Sequence, residues 1–199
     1  MKGFSLSRVL SSFVTPAGSL AMAALLLAPA PLAAGELAGV KLPDTLTVSG
    51  KTLKLNGLGL RKKAIFKVYV GGLYLEAPSK DAGAILAADA PKAVTMHFLR
   101  SVDKAALVGA YNEGFEANAK EKAAALRATL DKFLALVADV KDGSEFAVAY
   151  VPGSGTLVLR DGQEAGKFEG KAFADVVFAL WLGPKPPSED LKKGMLGNP

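Results

Sequence analysis

Residues 64–75 read Ala-Ile-Phe-Lys-Val-Tyr-Val-Gly-Gly-Leu-Tyr-Leu, a run dominated by β-branched and aromatic side chains. A run of this kind reads as a strand buried on both faces, or as one bent at Gly71-Gly72; Pro78 ends it. Upstream, Leu46 and Val48, then Leu53 and Leu55, alternate with polar neighbours across Ser49-Gly50-Lys51, the pattern of a tight hairpin. Downstream, Asp81 to Ala88 predicts a short helix. Lys92 to Arg100 alternates again, with Val94, Met96 and Phe98 on one face and Thr95, His97 and Leu99 on the other.

From Asp103 the period becomes helical. Leu107, Ala110, Tyr111, Gly114, Phe115 and Asn118 recur at spacings of three and four, and Leu126, Leu130, Phe133, Leu134 and Val137 follow, which predicts two amphipathic helices. Phe146 to Val151 and Thr156 to Arg160 predict two strands joined by Pro152-Gly153-Ser154-Gly155, and Asp161-Gly162 opens another turn before Lys167 to Glu169. Phe173, Val176, Val177, Leu180 and Trp181 predict a last long helix that stops at Gly183-Pro184. A short helix from Ser188 to Met195 closes the chain, with Ser188 as its N-cap. Strands come in runs, so the expected class is α+β, a large and mainly antiparallel sheet covered on one face by helices.

The chain starts as an exported protein does. Lys2 and Arg8 precede the apolar run from Leu20 to Ala28, Pro29 and Pro31 break it, and Ala33, Ala34 and Gly35 come before Glu36, the first carboxylate. This is the order of a signal peptide over residues 1–34 cleaved near Ala34; the prolines leave the run short of a spanning helix. Removal takes away two cations and leaves 22 Lys plus Arg against 19 Asp plus Glu, a net charge of +3. That is too mild, and too evenly interspersed along the sequence, to predict a nucleic-acid partner. The remaining residues, 35–199, are the size of a single domain. With no cysteine anywhere, stability rests on packing, and a periplasmic or secreted destination is expected, the periplasm first.

Cofactor and metal chemistry find little support in the residues. Asn56-Gly57-Leu58-Gly59-Leu60-Arg61 holds a GxG without the third glycine of a dinucleotide fingerprint, and it leads into a strand. His97 is the sole histidine, so a zinc site would need carboxylates for its other ligands. No cofactor and no metal are expected. The group that stands out is Arg61, delivered by what reads as a hairpin in which two glycines let the chain turn and aim a bidentate donor inward. On these residues alone, beside Lys62 and Lys63, an ordinary surface arginine is the favoured reading.

The segments Leu55–Lys63, Phe66–Leu75, Met96–Val102, Asn112–Phe115 and Trp181–Gly183, the last followed by Pro186 and Leu191-Lys192, resemble in content and order the chalcone-isomerase-like family, in particular its small bacterial exported branch. The resemblance covers residues 39–197. It implies an open-faced β-sandwich with a ligand cleft between sheet and helices. In the plant isomerases an arginine matching Arg61 helps hold the phenolate nucleophile; in fatty-acid-binding members the same arginine and a tyrosine grip a carboxylate, and Tyr69 is the match here for that hydroxyl. Tyr111, Asn112, Leu180 and Trp181 complete the implied ligand-binding set. This chain departs from the isomerases at the helix position of a ketone-directed tyrosine, which falls on Ala105 or Ala106, and at Leu180, where a polar contact becomes apolar.

The expectation that follows is a non-catalytic binding or carrier protein for a small apolar acid such as a fatty acid, with Arg61 on the carboxylate. Two alternatives remain at this stage. One is an intramolecular lyase acting on an enone, with Arg61 and Tyr69 facing the oxyanion. The other is a structural protein of the envelope whose cleft is filled by its own side chains.

Overall fold

The computed structural model describes residues 35–198; the leader expected over residues 1–34 lies outside them. Seven strands form one sheet in strict chain order: β3 (Thr45–Val48), β4 (Lys51–Lys63), β5 (Phe66–Leu75), β6 (Lys92–Phe98), β7 (Glu145–Val151), β8 (Gly155–Arg160) and β9 (Gln163–Phe168). Every neighbouring pair is antiparallel. A separate small hairpin, β1 (Glu36–Leu37) with β2 (Val40–Lys41), precedes it. Helices α1 (Ala82–Ala87), α2 (Lys104–Asn118), α3 (Lys120–Ala125), α4 (Arg127–Ala135), α5 (Lys171–Leu182) and α6 (Glu189–Met195) supply the second layer. The class is the expected α+β, and among the described residues no helix is long and apolar enough to cross a membrane.

The alternation of the sequence places the core. Leu73 and Leu75 of β5, Val94, Met96 and Phe98 of β6, and Phe146, Val148 and Tyr150 of β7 all face the helices. Nine residues of α5, among them Phe173, Phe178 and Trp181, are buried, so this helix is apolar around most of its circumference and forms the spine of the layer. The opposite face of the sheet holds two smaller clusters. Tyr74, Leu53 and Ala93 anchor one; the N-terminal hairpin lays Val40 and Leu42 over Val70 in the other.

Two turns fall where expected. Ser49-Gly50 and Asp161-Gly162 both have positive φ at each residue, the conformation that matches the twist of paired strands. Three expectations are corrected. The stretch expected to turn at Gly57 and Gly59 is one unbroken strand of 13 residues. Its glycines serve a different purpose: α6 lies across them, and a Cβ would sit 2.3 Å from the Gly194 carbonyl oxygen at Gly57 and 2.1 Å from that of Leu191 at Gly59. The strand expected from Ala64 begins at Phe66 and runs straight through Gly71-Gly72, in register with β6 on both sides, while Ala64 and Ile65 make the β4–β5 turn. The two helices expected between Asp103 and Val137 are three, because the backbone leaves helical geometry at Ala119 (φ −118°) and Leu126 (φ −103°).

Asn56 occupies the irregularity in β4 between Leu55 and Gly57. Its side chain donates to the Ser79 and Met195 carbonyls, both at 2.9 Å, and accepts from the Ser79 amide at 2.8 Å. Asn118 does the same at the end of α2, donating to Gly114 and Lys185 and accepting from the Lys185 amide at 2.7 Å. Both asparagines staple the C-terminal segment to the body of the fold.

Gly59→Ala is expected to lower stability by about 2 kcal/mol or more, because the new methyl meets backbone rather than a side chain able to rotate away. Chemical denaturation of the two proteins checks it; an unchanged midpoint would refute the tight α6–β4 seat.

Candidate functional site

Arg61 is the last inward-facing residue of β4 before the strand reaches its tip. It pairs with Tyr69 of β5 across the ladder, immediately before a second irregularity that takes up an extra residue at Val68. Paired residues share a face, so Arg61 stands on the helix side of the sheet, beyond the glycines that seat α6. Its side chain is half-buried, and its Nη1 donates to the carbonyl of Lys62. The ion pairs among the described residues do not include it.

Tyr69 is buried, with Phe98 packed edge-on at 5.6 Å between ring centroids. Burial pushes its phenol up to about 12, opposed by a hydrogen bond from the Trp181 side chain and by the Arg61 charge. Trp181, on α5, is 1% exposed. Tyr111 enters from α2, edge-on to Phe133 at 5.7 Å, with its hydroxyl 4.0 Å from Met96 Sδ. Its phenol is pushed up further, first by burial and then by the Tyr69 phenolate; two hydroxyls share one apolar interior. Leu180 is buried against Gly114, where a Cβ would lie 2.6 Å from its Cδ2.

Four of the expected residues, Tyr69, Tyr111, Leu180 and Trp181, thus meet in the interior, and Arg61 adjoins them at the rim. Asn112 does not: its Oδ1 accepts from Arg127 Nη1 at 3.0 Å on the outside of the helices. Ala105 and Ala106 are exposed on the first turn of α2. His97 faces away from the helices, 3.2 Å from Glu145.

A cavity of about 110 Å³ lies beside Tyr111, walled by Phe98, Leu107, Val137 and Phe146. A larger one, about 300 Å³, opens between α1, the end of α2 and α5, where Leu86, Val176 and Ala179 are flanked by Lys122 and Asp175. Neither is lined by Arg61, Tyr69 or Trp181. Next to the larger cavity is a group that no motif marked: Lys92, 2% exposed, donates to the Ile85 and Ala88 carbonyls at 2.7 and 2.8 Å and lies near the rings of Tyr150 and Phe178. Burial and then the Lys171 charge lower it to about 8. The signal was present in the alternation of β6, since residue 92 has the parity of Val94, Met96 and Phe98.

A family model described as chalcone isomerase-like matches residues 34–197. No curated protein sequence matches the chain significantly. Among solved structures, the crystal structure of a fatty-acid binding protein of Arabidopsis thaliana is similar over 80% of this chain and 93% of that one, with 18% identity and a TM-score of 0.61. At that identity the likeness concerns the fold.

All four tyrosines, Tyr69, Tyr74, Tyr111 and Tyr150, are held above the usual phenol range, with burial the first cause in each. A folded value above the unfolded one means that the stability contributed is complete below about pH 10 and is lost as pH rises through about 12. Spectrophotometric titration should therefore find no phenolate absorbance from the folded protein near pH 10, with ionisation and unfolding together near pH 12. Reversible titration of one or more tyrosines at the ordinary value would contradict the packing described.

Proposed function

We propose, for a chain that belongs to the chalcone isomerase-like family, that it is a non-catalytic periplasmic binding or carrier protein for a small apolar acid such as a fatty acid. The observation that carries the reading is the pairing of Arg61 with Tyr69: a guanidinium without a carboxylate partner among the described ion pairs, set across one ladder rung from a buried phenol. An anionic head group at the rim is the natural complement of the first, and a phenol that stays protonated is a donor to the same oxygen atoms. The fatty-acid binding protein of similar fold supports the choice of ligand class.

A half-buried guanidinium stays partly solvated, so the charge contact orients the ligand, and most of the affinity must come from the hydrocarbon. The acyl chain enters by widening the small cavity beside Tyr111, where Phe98, Leu107, Val137 and Phe146 supply apolar walls. A second reading has its own observation. Trp181, Phe98, Phe115, Phe133 and Leu180 are all at most 3% exposed and fill the space between the layers, as they would in a structural envelope protein that holds no small molecule.

The two readings separate on Arg61→Ala and Tyr69→Phe. In a carrier, titration calorimetry with a long-chain fatty acid should give binding that falls roughly tenfold to a hundredfold in Arg61→Ala, the worth of a charged hydrogen bond, and less in Tyr69→Phe. Native mass spectrometry of the protein purified from its host should show an acidic lipid that Arg61→Ala no longer carries. Wild type that binds no fatty acid favours the structural reading, and an Arg61→Ala protein that binds as well as wild type refutes the role given to Arg61.

A further inference from the structure

The tip of the β4–β5 hairpin is built against the rules that govern the rest of the surface. Ile65 is 87% exposed and Phe66 53%, the exposed large hydrophobic residues of the described chain. The other two-residue turns run through Ala38-Gly39, Ser49-Gly50 and Asp161-Gly162, each with glycine second. Here Ala64 takes the left-handed conformation (φ 53°), and the position after it is a bare isoleucine. A β-branched, apolar side chain at the apex of a tight turn gains nothing from the turn itself.

Charge surrounds these two side chains. Residues 61–67 carry Arg61, Lys62, Lys63 and Lys67 and no carboxylate. Arg100 reaches across from the end of β6, its guanidinium carbon 4.5 Å from the centre of the Phe66 ring, and so holds that ring at the tip. Lys62, Lys63, Lys67 and Arg100 are all exposed, and none takes part in the ion pairs among the described residues.

We infer that this tip is a membrane-docking element: Ile65 and Phe66 insert between the lipids of an anionic bilayer surface while the surrounding cations pair with its phosphate head groups. Two apolar side chains make too small a patch for the core of an ordinary protein interface, which buries about 800 Å² on each partner. A bilayer accepts a small wedge, and affinity there is the sum of buried apolar area and attraction to anionic lipid. The inference does not rest on a ligand at Arg61 and leaves that residue untouched in its test.

Phe66→Trp in the full chain places a reporter at the tip, against the constant background of the buried Trp181. With vesicles of phosphatidylcholine and phosphatidylglycerol, its emission should shift to the blue and be quenched by brominated acyl chains; vesicles of phosphatidylcholine alone should do neither. Adding Lys62→Gln and Lys63→Gln should weaken partitioning about twenty-five-fold, near fivefold for each charge removed, and adding Ile65→Ser should abolish the quenching. Emission that ignores anionic vesicles, equal response to neutral ones, or undiminished quenching in the Ile65→Ser protein would overturn the inference. So would retention by an acidic protein or polymer while the vesicles leave the emission unchanged.

Discussion

Backbone meets backbone where α6 crosses β4. At Gly57 and Gly59 the helix lies so close that no side chain fits between the layers, and Gly194 returns the relation, its missing Cβ falling 2.3 Å from the Leu58 carbonyl oxygen. Contact of this kind has no adjustable part, since a packed interior tolerates little change of volume. Asn56 and the Ser188 cap, which accepts from the Leu191 amide at 3.1 Å, hold the two ends of the same short helix. The seat therefore fixes where the helical layer ends and where the far part of β4, with Arg61, emerges from beneath it.

Inside that frame the interior is apolar but not uniformly so. Tyr69, Tyr111 and Trp181 bring polar atoms among phenylalanines that pack almost entirely edge to face. Such atoms are costly to bury without partners; the 4.0 Å contact of Tyr111 with a thioether is a weak one. A core meant only for stability would use phenylalanine at these places. This is the physical reason for looking to the Tyr69–Tyr111 region for function, even though its rim arginine lies outside the two cavities described.

Much of the architecture could be read from alternation. The faces of β6, the hairpin at Ser49-Gly50, the cap at Ser188 and the burial of α5 all follow from residue parity and local chemistry, because strands and caps are decided by near neighbours. The glycines of β4 could not be read that way. In sequence Gly57 and Gly59 look like a turn, and what makes them glycine is a helix more than a hundred residues later. Asn112 was legible as part of a motif, yet the side chain it meets is Arg127. Lys92 is the reverse case: its parity points inward, although lysine is a residue type that is seldom buried. The exposed apex at Ile65 was hidden because an apolar run gives no sign of where pairing stops.

The placement of α6 also bears on the order in which the molecule can be assembled. Each strand from β3 to β9 pairs with its neighbour in sequence, most of them across short turns. The Asn56–Met195 bond, by contrast, joins residues 139 apart, and such distant contacts form late. Until α6 docks, Gly57 and Gly59 leave bare backbone on the helix-facing side of β4. A chain that has not yet seated α6 is therefore open to misassembly at that track, and loss of α6 would leave it so.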